Sequence, residues 1–214
     1  MRRVVAAFVA GAVLTASALA NWSVTIIQSQ GVLNPGSVVT NVPAVVINNP
    51  LPQVTFLTSA GTPNPILVGD GTNFTSGGYS AIYSIAPNPG PVGQLTGFNF
   101  VIAGFVQGNA RINWQKKVVR NSDNAILYDE SGTISGSGFG GADGAFSLTL
   151  TGVLGQPAND VTVYENFSLF VTGAPGQDTA ALLLVQQDWV PEPASMLALG
   201  AGLAGLVGLR RRNR

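Results

Sequence analysis

The 214-residue sequence predicts an all-β protein, an antiparallel β-sandwich of Greek-key or jelly-roll type framed by two terminal segments of different character. Three observations predict it. Charged residues make up only 9% of the chain, which also holds 27 glycines and 13 prolines, a balance that favours strands and tight turns over solvated helices. Hydrophobic residues recur with period 2 in several segments, and no segment shows the 3.6-residue period of an amphipathic helix convincingly. Turn residues punctuate these segments at short intervals, with no fixed-length repeat of the kind that builds a solenoid.

The chain opens on Arg2 and Arg3, continues through the apolar run Val4 to Leu14, and reaches small residues ending Ala18-Leu19-Ala20. This is the order of a secretory signal peptide, with Ala18 and Ala20 at the signal peptidase site. Residues 1–20 are therefore expected to be a cleavable signal helix, and the mature chain to begin at Asn21. The apolar run is short for a membrane span.

Residues 21–189 are expected to form the ectodomain. Nine of the 13 prolines fall between residues 31 and 93, so the first half should be irregular, with short strands such as Gln53 to Leu57 and Tyr79 to Ile85. Gln94 to Val106 is apolar on both faces and reads as a central strand. Asn109 to Arg120 starts with Ile112 and Trp114 on one face and breaks at Lys116-Lys117, as at a bulge or a sheet edge. Ala125 to Glu130 and Gly132 to Ser137 read as neighbouring strands separated by little more than a turn. Ala145 to Thr151, Val161 to Thr172 and Thr179 to Trp189 complete the set. Period-2 placement puts Phe98, Phe100, Ile102, Phe146, Leu148, Leu150, Leu183 and Val185 in the core.

The composition narrows the chemistry. Six of the ten basic residues lie in the terminal segments, leaving the ectodomain four against nine acidic residues. A net negative domain has no footprint for nucleic acid. There is no cysteine and no histidine, which removes thiol chemistry, the commonest general base and the commonest transition-metal ligand. Gly136-Ser137-Gly138-Phe139-Gly140-Gly141 satisfies G-x-G-x-x-G, but no helix follows it, so it reads as a flexible hairpin loop. Asp129 and Glu130 are adjacent, and in a strand they point to opposite faces, a poor arrangement for a glycosidase pair. Asp70-Gly71-Thr72-Asn73 offers oxygen ligands but lacks the rest of a calcium loop, so an Asx turn is the expectation. Ser147, Thr149 and Thr151 share one strand face without recurring on other strands, as an ice-binding surface needs. Trp22, Trp114, Tyr79, Tyr83 and Tyr128 are rings that stack on sugars when exposed and join the core when buried. No enzyme activity, cofactor or metal is expected.

The C-terminal segment, residues 190–214, runs Val190-Pro191-Glu192-Pro193-Ala194-Ser195, then an uncharged stretch Met196 to Leu209, then Arg210-Arg211-Arg212-Asn213-Arg214. From Ala194 to Leu209 a helix reaches about 24 Å, short of a hydrocarbon core of about 30 Å, and spans with help from snorkelling arginines. Arg210, Arg211, Arg212 and Arg214 belong on the cytoplasmic side, which places Pro191, Glu192 and Pro193 at the outer surface. The three parts, in this order, resemble the PEP-CTERM sorting-signal family, also catalogued as the ice-binding protein C-terminal domain. The resemblance covers about residues 190–214 and implies processing by exosortase after signal peptidase has acted. It implies an inner-membrane-anchored precursor in a Gram-negative, polysaccharide-producing bacterium, and a final place at the cell surface or in the matrix of a biofilm. The expectation for the ectodomain is a non-enzymatic surface or matrix protein associated with exopolysaccharide. The alternative is a carbohydrate-binding or adhesive module, and an extracellular enzyme stands third.

Overall fold

The computed structural model describes residues 22–69, 74–88, 93–172 and 176–191. Among them lie β1 (Trp22–Asn34), β2 (Val38–Asn41), β3 (Ala44–Ile47), β4 (Gln53–Phe56), β5 (Leu67–Val68), β6 (Ser76–Pro87), β7 (Leu95–Gln107), β8 (Ala110–Arg120), β9 (Ile126–Ser135), β10 (Gly144–Ala158), β11 (Val161–Val171) and β12 (Thr179–Pro191). All pairings between these strands are antiparallel. The first sheet runs β2-β1-β6-β11-β8-β9; the second runs β10-β7-β12-β4-β3, with β5 also paired to β12. The two-sheet antiparallel sandwich expected from composition is thus the fold. Among the described residues no helix is long and apolar enough to cross a membrane. The expected signal helix and C-terminal membrane helix lie outside the described residues, as does Asp70 to Asn73.

The core fills the space between the sheets with aromatic rings. Trp22, Phe56, Tyr79, Tyr83, Phe98, Phe100 and Trp189 are all buried. Phe98 meets Trp189 at 5.4 Å and Tyr128 at 4.8 Å between centroids, and Phe100 meets Trp114 at 6.0 Å. Each such ring contributes roughly 1.5–3 kcal/mol of burial free energy, and the Phe98–Tyr128 and Phe100–Trp114 contacts cross from one sheet to the other. β7 sits between β10 and β12, the central position that its two apolar faces predict.

Four expectations are corrected. β8 does not break at Lys116-Lys117: its alternation continues, Lys116 points inward fully buried, and Lys117 points outward. Burial is tolerated because Glu165 lies directly opposite on β11 and pairs with it. The two strands expected between Ala125 and Ser137 are one, because Gly132 stays in register opposite Trp114. A Cβ there would stand 2.7 Å from the indole, so the glycine admits a ring and makes no turn. Leu183 is exposed because a register shift between Leu182 and Leu184 turns it out of the core. The first half contains two long strands, β1 and β6, and six of its nine prolines flank the short strands β2 to β5. Of the expected core, Phe98, Phe100, Ile102 and Val185 are fully buried. Phe146, Leu148 and Leu150 are partly buried because β10 is an edge strand.

Candidate functional site

Alternation sends every second side chain of the first sheet to its outer face. Register then aligns Asn41 of β2, Gln30 of β1, Ser80 of β6, Asn166 of β11, Gln115 of β8 and Ser131 of β9 in one row across the sheet. Five steps between strands make this row about 24 Å long at roughly 4.8 Å each. All six side chains are uncharged, and each can both donate and accept hydrogen bonds. In the next row Tyr164 lies between Ile82 and Lys117, with Asp129 beyond. Gln115, Asn166, Lys117 and Tyr164 line an open groove of about 500 Å³, with Asn124 and Ile126 also in its wall. Gln115 Nε2 donates to Asp129 Oδ1 at 3.1 Å, which fixes its carboxamide. Tyr164 is 37% exposed, so one ring lies against the row of amides.

A second polar cluster lies inside. Lys116 on β8, Glu165 on β11 and Gln187 on β12 occupy inward positions of strands that are otherwise apolar on that side, and all three are buried. Lys116 Nζ donates to Glu165 Oε1 and to Gln187 Oε1. It stands 4.2 Å from the Phe100 ring centroid and 4.9 Å from that of Phe98. Tyr83 donates its hydroxyl hydrogen to Glu165 Oε1 at 3.3 Å, and Gln187 Nε2 donates to the Asn99 carbonyl at 3.4 Å. Burial pulls the Lys116 ammonium below its ordinary pKa, with the Glu165 carboxylate opposing that shift. Burial pushes the Tyr83 phenol far above its own, and Glu165 adds to the rise.

The features singled out in the sequence separate clearly. Trp22, Trp114, Tyr79 and Tyr83 are buried and Tyr128 is partly buried against Phe98, so none of the five offers an open face; Tyr164 does instead. Its outward position follows from the alternation Val161, Val163, Glu165 on the inner side of β11, a signal present in the sequence. The glycine-rich run forms a short 3₁₀ turn at Ser137–Phe139. Asp143 accepts from both Ser137 donors of that turn, N and Oγ at 2.8 Å each, and from Gly108 N at 2.9 Å. Asp129 and Glu130 diverge as expected: Asp129 accepts from Gln115 on the outer face, whereas Glu130 accepts from Tyr128 at 2.7 Å. Ser147, Thr149 and Thr151 face outward on β10 opposite Ala103, Val101 and Asn99, so the hydroxyl pattern does not extend to the next strand. Among the described residues no group of three acidic side chains is placed to hold a metal. Pro191 ends β12, half-buried, whereas Ala18, Ala20, Glu192, Pro193, Arg210, Arg211, Arg212 and Arg214 lie outside the described residues.

Residues 190–212 match the family model described as the PEP-CTERM protein-sorting motif. The C-terminal segment is a PEP-CTERM sorting signal. The PEP-CTERM signal marks an exported chain whose membrane-anchored precursor is processed by exosortase. β12 runs to Pro191, so the sandwich and the PEP-CTERM motif overlap at Val190 and Pro191 with no linker between them. No curated protein matches this chain. Among solved structures, the xylan-binding module CBM15 is 18% identical over 81% of this chain and 99% of its own, with a TM-score of 0.32. The enzymatically active domain of tailspike protein 4 from bacteriophage CBA120 is 10% identical over 78% of this chain and 19% of its own, with a TM-score of 0.33. The family 11 carbohydrate-binding module from Clostridium thermocellum is 9% identical over 78% and 88%, with a TM-score of 0.27. Scores this low carry no inference about what this chain binds.

Proposed function

We propose that the sandwich is a non-enzymatic polysaccharide-binding module of an exosortase-sorted surface or matrix protein, and that neutral sugar chains lie across the outer face of its first sheet. The observation that carries this reading is the row of six uncharged amide and hydroxyl side chains with Tyr164 beside it. Sugar hydroxyls both donate and accept, so they match amides and hydroxyls better than they match fixed charges. A tyrosine ring covers the C–H face of a sugar while its hydroxyl stays wet. Nine acidic residues against four basic ones in the ectodomain disfavour polyanions at long range, which points to neutral chains. On this reading the partner is the exopolysaccharide of the producing cell, which an exported chain is placed to meet.

The test is retention of the purified protein in native gels that contain neutral polysaccharides, glucans and galactans among them. Retardation that disappears in Tyr164→Ala supports the reading. Equal mobility of parent and variant in every gel, with and without polysaccharide, overturns it.

A further inference from the structure

The buried cluster calls for a role beyond stability. A buried ion pair is often no more stabilising than apolar residues of the same volume, because desolvation offsets the attraction. Here three strands from two sheets each give up an inward position to a polar side chain, and the three converge on one point. The point holds an amine, a carboxyl group and a carboxamide. From this geometry we infer that Lys116 and Gln187 join in an intramolecular isopeptide bond, with Glu165 as the proton relay, so that the two sheets become covalently linked.

The residues satisfy the requirements of that reaction. The nucleophile must be a neutral amine, and desolvation of the fully buried Lys116 favours that form, against the pull of Glu165 and of the Phe98 and Phe100 ring faces on the ammonium. Passing one proton from Nζ to Glu165 converts the ion pair into an amine and a carboxylic acid without changing the total charge. Glu165 Oε2 is buried and has no hydrogen-bond partner among the described residues, so it is open to carry that proton. Gln187 is held by its bond to the Asn99 carbonyl with its own carbonyl turned toward Lys116. Nζ then attacks Cδ of Gln187. The new Nζ–Cδ bond forms, the Cδ–Nε2 bond breaks, and a proton lost by Nζ passes through Glu165 to Nε2, which leaves as ammonia. No oxidant, cofactor or water is consumed. Amide exchange is slow in water, but effective molarities of about 10⁵–10⁸ M are reached when reacting groups are held in place and dry. The bond falls four residues before Pro191, so a pull on the C-terminal end of β12 would pass into β8 as well as into the hydrogen bonds of the second sheet.

The test is the intact mass of the full chain purified in detergent and denatured, followed by peptide mapping. The expected mass is lower than that of the sequence of the isolated form by one ammonia, and one branched peptide joins the segments around Lys116 and Gln187. Glu165→Gln is expected to keep the ammonia although amine and amide are both present. Gln187→Leu is expected to keep Lys116 in a linear peptide. A parent chain of unreduced mass overturns the inference, as does an ammonia loss that maps to another residue. A Glu165→Gln chain that forms the bond as completely as the parent overturns the role of Glu165. If that variant does not fold, the parent's mass and peptide map still decide the bond.

Discussion

Tyr164 is held outward by its neighbours in sequence, since Val163 and Glu165 both point into the sandwich. On the proposed reading its ring serves binding, and its outward position adds little to folding. Tyr164→Ala is expected to weaken binding of a neutral polysaccharide tenfold or more, about 1.4 kcal/mol, as measured by titration calorimetry. The same variant is expected to unfold within about 0.5 kcal/mol of the parent, because the ring is not part of the core. Asp143 shows the opposite case, a residue that acts on structure alone. Its hydrogen bonds from Ser137 and Gly108 hold its carboxyl below the ordinary carboxylate range. A carboxyl whose folded pKa is depressed stabilises the fold fully above its unfolded value and loses that contribution as pH falls through the folded value. The 137–143 turn is accordingly expected to loosen on acidification below about pH 4, and Asp143→Asn to show that loosening at neutral pH. Hydrogen exchange at the Gly108 and Ser137 amides reads both.

In the strands, the decisive features are single residues that set which face a segment presents. Gly132 keeps β9 continuous by leaving room for the Trp114 indole. Gly132→Val is expected to destabilise the domain by about 1–3 kcal/mol in chemical denaturation, as overpacking does. That glycine also explains a limit of the sequence reading: a glycine between two short runs has the same appearance whether it turns the chain or admits a neighbour's ring. Leu183 was hidden for a related reason, since a bulge shifts parity without changing composition. The core positions in β7 and the boundaries of β7, β8, β11 and β12 follow from period 2 almost as they stand. The reading of a break at Lys116-Lys117 passed over the polar cluster, although the signal lies in the same pattern: Lys116 falls in phase with Ile112, Trp114 and Val118, Glu165 with Val163 and Phe167, and Gln187 with Val185 and Trp189. What one strand cannot reveal is convergence, and pairing across β8, β11 and β12 supplies it. The amide row is likewise invisible in sequence, because each member comes from a different strand and only register aligns them.

On the scale of the molecule, the sandwich separates its tasks. The interior joins the sheets, the outer face of the first sheet meets solvent with its amide row, and β12 leads directly into the sorting signal. Pro191 and Pro193 lack amide donors and fix φ, so a strand cannot run through the triplet, and Glu192 resists transfer into hydrocarbon. In an exosortase-containing host, Glu192→Ala is expected to leave a full-length, membrane-retained form that still carries Arg210 to Arg214, as judged by mass and by fractionation. Release as fast as the parent's would make the triplet a spacer. The claim that the first sheet's outer face binds sugar is tested most directly by NMR titration of the labelled protein with a neutral polysaccharide. The side-chain amide signals of Asn166 and Gln115 and the ring signals of Tyr164 are predicted to shift together and saturate together. Shifts confined to the second sheet, around Thr149 and Thr151, or no shift with any neutral polysaccharide that the native gels identify, would contradict it.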